Sequence, residues 1–396
     1  MAQARKRGDG YQLRVYCGLD NTPKRQKIEK HRMWYPEPGM TPKQIEKELE
    51  RQKILFEEEV RQGKCYDENM TFAQLVEIWD SDYAKKQLAP KTYIRYQDYL
   101  RRILPAIGHI KLKALTPIHL NRFYENLGEE GINKKPLRDK NGKPIGKTKL
   151  AEKTIGDHHK LISKVLSLAV QWGLVESNVA SRATPPKVPY KEMKYLNEEE
   201  TKQLIHLLDS EPIQYRTMIL MLIHTGMRRG ELMGLEWKDI DFENQTVRIA
   251  RTSQYVGEFI TKEPKTRSGI RVLTLNNTTC RLLKEYRAWQ NGEKLKLGDR
   301  WIDTDRLFTK WNGEAIYPET ISQWFRKFIK RSGLPYVTLH SLRHTNATLM
   351  IAENVDIPTV SKRLGHANTS TTLNVYTHAL EARDKIASEK LESILS

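Results

Sequence analysis

The N-terminal part of the chain alternates between apolar and polar positions and then changes to a helical pattern. Tyr11–Tyr16 (YQLRVY) has the two-residue period of a strand, and Lys27–Trp34 fits a second strand. The Glu/Lys-rich segment Pro42–Arg61 follows at helical spacing, with Thr41 placed to cap it. This pattern predicts a small sheet backed by one helix.

The next segment carries apolar residues at helical spacing almost throughout. Thr71 and Thr116 each stand just before an apolar run, where a side-chain oxygen can cap a helix. The pattern predicts helices over 72–79, 90–104, 117–127 and 154–172. Four or five such helices form one helical domain.

Two polar or proline-rich stretches interrupt the pattern. The stretch 131–152 contains Asn141–Gly142, so it either turns a hairpin or is a disordered loop. The stretch 185–194 opens with PPKVP, whose prolines disfavour both helix and sheet and indicate a linker. We therefore expect three domains, over 1–64, 70–184 and 195–396.

The last domain contains both the two-residue alternation of strands and the apolar spacing of helices. The stretches 246–250 (TVRIA) and 270–275 (IRVLTL) are typical of strands and flank a basic turn. Helices are predicted from a capping box at Asn197, up to a stop signal at Gly226, and over most of the chain after Pro318. The fold class is therefore multidomain and mainly α with α+β parts: a small N-terminal sheet with a helix, a helical domain and a mixed α/β domain.

The charge of the chain indicates a polyanionic partner. It has 67 Lys and Arg against 49 Asp and Glu, a formal net charge of +18, and nucleic acid is the first candidate. No stretch approaches the roughly 18 consecutive apolar residues of a membrane span, and the N-terminus lacks the apolar segment of a signal peptide. A cytoplasmic protein is therefore expected. No zinc site or disulfide framework is indicated, because the cysteines form no CxxC pair: Cys17, Cys65 and Cys280.

Four dispersed motifs in the last domain bring together residue types suited to phosphodiester chemistry. They are TGMRRGE (225–231), HSLRHT (340–345), LGHANTSTT (364–372) and VYTH (375–378). Arginine holds non-bridging phosphate oxygens bidentately, histidine donates hydrogen bonds, and a tyrosine phenol can attack phosphorus. His340 and Arg343 are three residues apart, so on one helix they reach the same phosphate.

Each of these residues has a plainer interpretation when taken alone. TGMRRGE alone would be a helix start with a surface arginine, and an isolated histidine is more often a buried, hydrogen-bonded residue. His340 and His344 are four apart, but the glutamate of HExxH is absent and nothing completes a metal cluster. No metal site is therefore predicted, and His344 is expected to support the helix.

In this order the motifs resemble the tyrosine recombinase (phage integrase) family, whose pattern is Arg, Lys, His-x-x-Arg, His, Tyr. The resemblance is close in the C-terminal half and loose before it. It implies a nucleophile and a set of groups that activate or hold the phosphate, with Glu231 orienting a basic side chain beside them. That implied catalytic set is Arg228, Lys265, His340, Arg343, His366 and Tyr376.

Two of these assignments have neighbouring rivals. Arg228 rather than Arg229 fits the family spacing. Lys265 is favoured over Lys262 as general acid for the leaving 5′ oxygen, because the family places its lysine in a similar Lys-Thr turn before an Arg-Val strand. An ordinary DNA-facing or solvent-facing lysine is the other interpretation of Lys265.

The resemblance also implies DNA contacts along the whole chain. The N-terminal sheet is similar to the arm-binding domain of many integrases, and the helical domain is similar to a core-binding domain that clasps the duplex. A solvated basic surface is the alternative for the N-terminal piece. The candidate DNA-binding residues are Arg5, Lys6, Arg7, Arg14, Lys91, Arg95, Lys160 and Arg267.

The expected function is site-specific recombination through a 3′-phosphotyrosyl link, without metal, nucleotide or other cofactor. The element served would be a conjugative transposon or a prophage. The expected partners are double-stranded DNA with core-type and arm-type sites, three further copies in a homotetramer, and an accessory excisionase or DNA-bending protein. The tail 381–396 would pack on a neighbouring protomer or fold back on its own domain. Alternatives are a DNA-relaxing enzyme of the type IB topoisomerase kind and a non-catalytic DNA-binding regulator.

Overall fold

The computed structural model describes residues 2–19, 27–61, 69–132, 149–189, 193–263 and 269–366, together with Glu392 and Leu395. The chain divides into two compact units, Met1–Tyr190 and Lys191–Ser396. The boundary lies inside the stretch that the sequence predicts to be a linker. The predicted hairpin or loop over 131–152 falls mostly outside the described residues.

The first unit begins with a three-stranded antiparallel sheet. Its strands, in the order β1-β2-β3, are β1 Gln3–Arg7, β2 Gly10–Leu19 and β3 Lys27–Trp34. Helix α1, Pro42–Arg61, covers one face and buries Leu13, Val15 and Phe56 in a small core. The predicted sheet with one helix is confirmed. Strand β1 was not predicted, because all five of its residues are exposed and none is a large apolar residue, so the strand shows no alternation.

The rest of this unit is helical and has a separate apolar core. Thr71 and Thr116 both cap as predicted, each in a capping box with the residue three positions later. The helices are α2 Phe72–Trp79, continued by a π-helical turn Asp80–Ala84 into α3 Lys85–Gln87, then α4 Pro90–Ile107, α5 Pro117–Leu127 and α6 Glu152–Gln171.

The second unit packs helices around a small sheet and a hairpin. Its helices are α7 Glu198–Leu207, α8 Ile213–Thr225, α9 Arg229–Leu232, α10 Asn277–Leu297, α11 Pro318–Ser332, α12 Leu339–Ala352 and α13 Ile357–Leu364. Its strands are β4 Ile240–Asp241, β5 Thr246–Ile249, β6 Thr252–Val256, β7 Glu258–Lys262 and β8 Arg271–Thr274. The sheet has the order β4-β5-β8, and β6 pairs with β7. Apolar residues from α8, α10 and α11 fill the core.

The connection between β5 and β8 differs from the single basic turn that the sequence predicts. Strands β5 and β8 pair antiparallel as neighbours, but more than a basic turn separates them along the chain. The hairpin β6-β7 turns at Gly257, whose φ is +76°, and only then does the chain reach the segment with Lys265. The hairpin escaped prediction because most of its positions are partly exposed, with Ser253 the only buried residue in its two strands.

No described helix is both long enough and apolar enough to cross a membrane.

Candidate active site

Arg228 lies at the junction of two helices in the second unit. Helix α8 ends at Gly226, which adopts a left-handed φ of +63°, a conformation that glycine tolerates at no steric cost. The chain then turns so that Arg228 becomes the N-cap of α9. Its guanidinium is exposed on one side, while Nη1 donates to Glu231 Oε1 over 2.8 Å.

Glu231 is a buried carboxylate shared by two arginines. It also accepts the backbone N–H of Arg228 at 2.9 Å and Arg271 Nη2 at 2.9 Å. Burial alone would raise the pKa of Glu231, but the hydrogen bonds and charges of Arg271 and Arg228 hold that pKa below its ordinary value. Glu231 is therefore ionised at neutral pH and fixes the direction of Arg228.

Arg343 reaches the same junction from α12. Its side chain is buried, and Nη1 donates to the carbonyl oxygen of Gly226 over 2.7 Å. One turn later, Asn346 Nδ2 donates to the carbonyl oxygen of Ile223 at 2.7 Å. These bonds satisfy carbonyls at the end of α8 that have no partner within the helix. They hold Arg343 beside the start of α9.

His340 lies one turn before Arg343, as the spacing predicts. Both residues and Arg228 line a single cleft of about 390 Å³. His340 is exposed to the cleft and packs edge-on against His344, with ring centroids 4.7 Å apart. Partial burial, followed by the charges of Arg343 and Arg228, lowers the pKa of His340. His340 is therefore neutral at pH 7 and can accept a proton.

His366 follows the C-terminal end of α13. Gly365 closes that helix with a φ of +70°, and its carbonyl oxygen lies 3.5 Å from Arg228 Nη2. The pKa of His366 is lowered to about 4, first by burial and then by neighbouring charges. These charges are those of Arg343, Arg228, Arg271 and His340. The imidazole is therefore neutral at pH 7 and lies within the field of the arginines.

Family models match both units of the chain. The model of the phage integrase family matches residues 194–383, and the model of the phage integrase N-terminal SAM-like domain matches residues 71–128. The chain belongs to the phage integrase family. Enzymes of this family cut and rejoin DNA, so the family, the DNA-recombining function and the enzyme class expected from the sequence are confirmed. These matches do not favour the two alternatives, a DNA-relaxing enzyme of the type IB topoisomerase kind and a non-catalytic DNA-binding regulator.

Curated relatives in this family cover most of the chain. A XerC-like tyrosine recombinase of Caldanaerobacter subterraneus is 27% identical over 88% of this chain and 90% of its own length. The ICEBs1 integrase of Bacillus subtilis is 26% identical over 72% of this chain and 77% of its own length.

Solved structures show the same fold. The integrase of transposon Tn1549, in complex with transposon right end DNA, superposes with a TM-score of 0.66 at 21% identity, covering 82% of this chain and all of that chain. A lambda integrase dimer bound to a core site gives a TM-score of 0.55 at 18% identity, covering 77% of this chain and 95% of that chain. Both of these integrases were captured on DNA.

Three of the predicted site residues fall outside the described residues. These are the expected nucleophile Tyr376, the expected general acid Lys265 and its neighbour Arg267. The rival lysine, Lys262, is the last residue of β7. The structure thus brings together Arg228, Glu231, His340, Arg343 and His366.

The predicted DNA-binding residues of the first unit differ in their exposure and in their hydrogen bonds. Arg5, Lys6 and Arg7 are exposed on β1, and Lys91 is exposed at the start of α4. In contrast, Arg14 donates to Gln3 at 2.9 Å and to Glu29 at 3.3 Å.

Arg95 and Lys160 share one acidic partner. Arg95 Nη2 lies 2.9 Å and Lys160 Nζ 3.6 Å from the carboxylate of Asp157. Both cations remain largely exposed, so this pairing orients them without burying them.

Arg271 is a site residue that the sequence analysis missed. Arg271 and Leu273 are the two buried residues of β8, while Val272 and Thr274 alternate with them and are exposed. A buried arginine requires partners because an unpaired charge is costly to desolvate. A charged residue on the apolar face of an alternating strand was therefore the available signal.

Proposed function

We propose that this phage integrase family member is the integrase of a mobile genetic element and that its active site is the cleft between α9 and α12. The observation that carries the proposal is the convergence of Arg228, Arg343 and His340 on that cleft. Two guanidinium groups and an imidazole facing one cavity suit a phosphate whose non-bridging oxygens must be neutralised.

In the proposed reaction, the phenol oxygen of Tyr376 attacks the scissile phosphorus. The bond from phosphorus to the 5′ oxygen breaks, a 3′-phosphotyrosyl bond forms, and Lys265 donates a proton to the leaving 5′ oxygen. A 5′ hydroxyl of the partner strand then reverses these steps. The bond energy is kept in the phosphotyrosyl link, so the cycle needs no nucleotide.

The described residues supply the electrostatics of this step. Arg228 and Arg343 hold the non-bridging oxygens, and Glu231 keeps Arg228 in place. A tyrosine has an ordinary pKa of about 10, so the nearby positive charges assist its ionisation. Neutral His340 accepts the phenol proton, and neutral His366 donates one hydrogen bond to the phosphate through its ring N–H.

The proposed partners follow from the family and from the basic surface. Core-type sites would bind the helical domain 70–184 and the catalytic domain 195–396, and arm-type sites would bind the sheet domain 1–64. Four copies would act on two paired sites, assisted by an excisionase or a DNA-bending protein. The element served would be a conjugative transposon or a prophage. The enzyme would act in the cytoplasm.

Joining of two marked duplexes tests this function. Two core-site duplexes of different length and different end label are incubated with the protein. A recombinase produces joint molecules of the two new lengths, each carrying one end from each parent. Relaxation of supercoiled plasmid without joint molecules would show a topoisomerase-like enzyme and overturn the proposal.

A further inference from the structure

Arg271 connects three segments of the catalytic unit through one buried side chain. Nη2 donates to Glu231 at 2.9 Å, Nε to the carbonyl oxygen of Arg363 at 2.8 Å, and Nη1 to the carbonyl oxygen of Gly269 at 3.2 Å. The side chain is only 6% exposed. All three nitrogens of the guanidinium are thus used.

Two of these acceptors lie beside a proposed site residue, and the third follows the segment that contains Lys265. Glu231 is the carboxylate that binds Arg228. The carbonyl of Arg363 lies in the last turn of α13, just before Gly365 and His366. Gly269 is the first described residue after the segment that contains Lys265.

A lysine could not replace this arrangement. Its ammonium is a point charge on a flexible stem, whereas the planar guanidinium directs its N–H groups along fixed directions. The substitution Arg271→Lys would therefore keep a positive charge near Glu231, but the ammonium could not serve all three acceptors in their present geometry.

A second arginine provides a structural comparison in the same unit. Arg251 pairs with Glu236 and with Asp239, the latter at 2.8 Å, and its side chain is 18% exposed. These partners bind none of the predicted catalytic residues among the described residues. Arg251 therefore has a similar stabilising environment without a link to the cleft.

We propose that Arg271 is a positioning residue for strand cleavage: it fixes Glu231, so that Arg228 faces the phosphate, and ties this pair to the helix end that presents His366. The inference rests on the proposed function, since it assumes that Arg228 binds the scissile phosphate. Arg271 is buried, so it acts on Arg228 through Glu231 and on His366 through the end of α13, without contacting DNA itself.

The test uses the full-length protein and single-turnover cleavage of a nicked core-site substrate, read as covalent protein–DNA adduct. Arg271→Lys should cleave at least about tenfold more slowly than wild type, because misdirecting a phosphate-binding arginine removes much of its stabilisation of the transition state. Core-site affinity should change less than about threefold, since Arg271 contributes no phosphate contact. Arg251→Lys should cleave within about threefold of wild type.

A double variant separates positioning from a general loss of structure. Arg228→Ala removes the group that Arg271 orients, so adding Arg271→Lys should slow cleavage by only about two- to threefold more. Thermal unfolding of every variant is followed in parallel. If Arg271→Lys unfolds below the assay temperature, Glu231→Gln replaces it in the same cycle, because it weakens the same link from the other side.

The outcomes are distinct. Adduct formation by wild type with an undiminished rate in Arg271→Lys would overturn this inference and leave the proposed function intact. Fully multiplicative defects in the double variant, or an equal defect in Arg251→Lys, would also overturn it, because either result indicates a generic effect on the fold. Absence of adduct in wild type would instead refute the proposed function itself.

Discussion

The Arg343 guanidinium donates a 2.7 Å hydrogen bond to the carbonyl oxygen of Gly226, the residue that ends α8 two positions before Arg228. The two arginines proposed to hold the phosphate are thus fixed to one short turn, although they lie far apart in sequence. Their separation depends on the conformation of that turn.

Gly226→Ala should disrupt both stability and cleavage. A β-carbon there would meet Leu364 Cδ2 at 2.5 Å and Asn346 Oδ1 at 2.6 Å, in a backbone with φ of +63°. The left-handed conformation costs about 1 kcal/mol for a non-glycine residue, and overpacking adds about 1–3 kcal/mol. Chemical denaturation measures the loss, and the adduct assay measures cleavage.

Gly333→Ala is the matched control for this substitution. Gly333 also ends a helix with a left-handed φ, of +74°, but nothing lies within 4 Å of the added carbon. This control should lose only about 1 kcal/mol and keep its activity. Equal effects of the two substitutions would contradict the packing role assigned to the Gly226 turn.

The local elements of this fold could be predicted because their signals are short in sequence. Thr71, Thr116 and Asn197 each cap a helix through a residue three positions away, and the glycine stop at Gly226 is equally local. The exposed strand β1 offered no apolar period, so only its pairing with β2 reveals it.

The electrostatic network of the site could be predicted only in part. Glu231 and Arg228 are three residues apart, and their pairing follows from helix geometry. The bond from Arg271 to Glu231 spans 40 residues, and the bond from Arg343 to Gly226 spans 117. Such contacts depend on how distant elements pack, which periodicity does not specify.

Acid should destabilise the catalytic unit partly through His344. Burial, followed by the charges of His340, Arg343 and His366, lowers the pKa of His344 to about 4, against about 6.5 in an unfolded chain. Between these values the unfolded chain binds a proton that the folded chain does not. Stability therefore falls as the pH drops from 6.5 towards 4, by up to about 1.4 kcal/mol per pH unit for this one group.

Urea denaturation of wild type and His344→Gln at pH 7 and pH 5 checks this. The variant should show a shallower pH dependence, because glutamine does not titrate. If the free energy of unfolding of the variant depends on pH as steeply as that of wild type, His344 is charged or exposed in the folded state.

Lys265 is predicted to protonate the leaving 5′ oxygen. Lys265→Ala should cleave a normal substrate slowly but recover on a substrate with a 5′-bridging phosphorothiolate, because sulfur leaves without a proton. Lys262→Ala is the control. Recovery of Lys262→Ala instead would transfer the role to the end of β7, and equal defects on both substrates would remove Lys265 from it.

Exposed cations of β1 should contribute more to arm-site binding than Arg14 does. Arg5→Ala with Arg7→Ala should reduce the slope of log K against log salt by about 0.9 for each phosphate that is no longer neutralised. Arg14→Ala should change the slope less, because Arg14 is already paired with Glu29. Titrations of an arm-site duplex at several salt concentrations measure this, and a larger effect of Arg14→Ala would contradict the ranking.

Covalent capture of the DNA by Tyr376 tests the central claim most directly. A nicked core-site substrate loses its short 5′ hydroxyl strand after cleavage, so the phosphotyrosyl adduct accumulates and is seen as a shifted band on a denaturing gel. Wild type should form this band, whereas Tyr376→Phe should form none while binding the same DNA within about twofold, because only the attacking oxygen is removed. A band of undiminished intensity from Tyr376→Phe, or none from wild type on a substrate that it binds, would contradict the account.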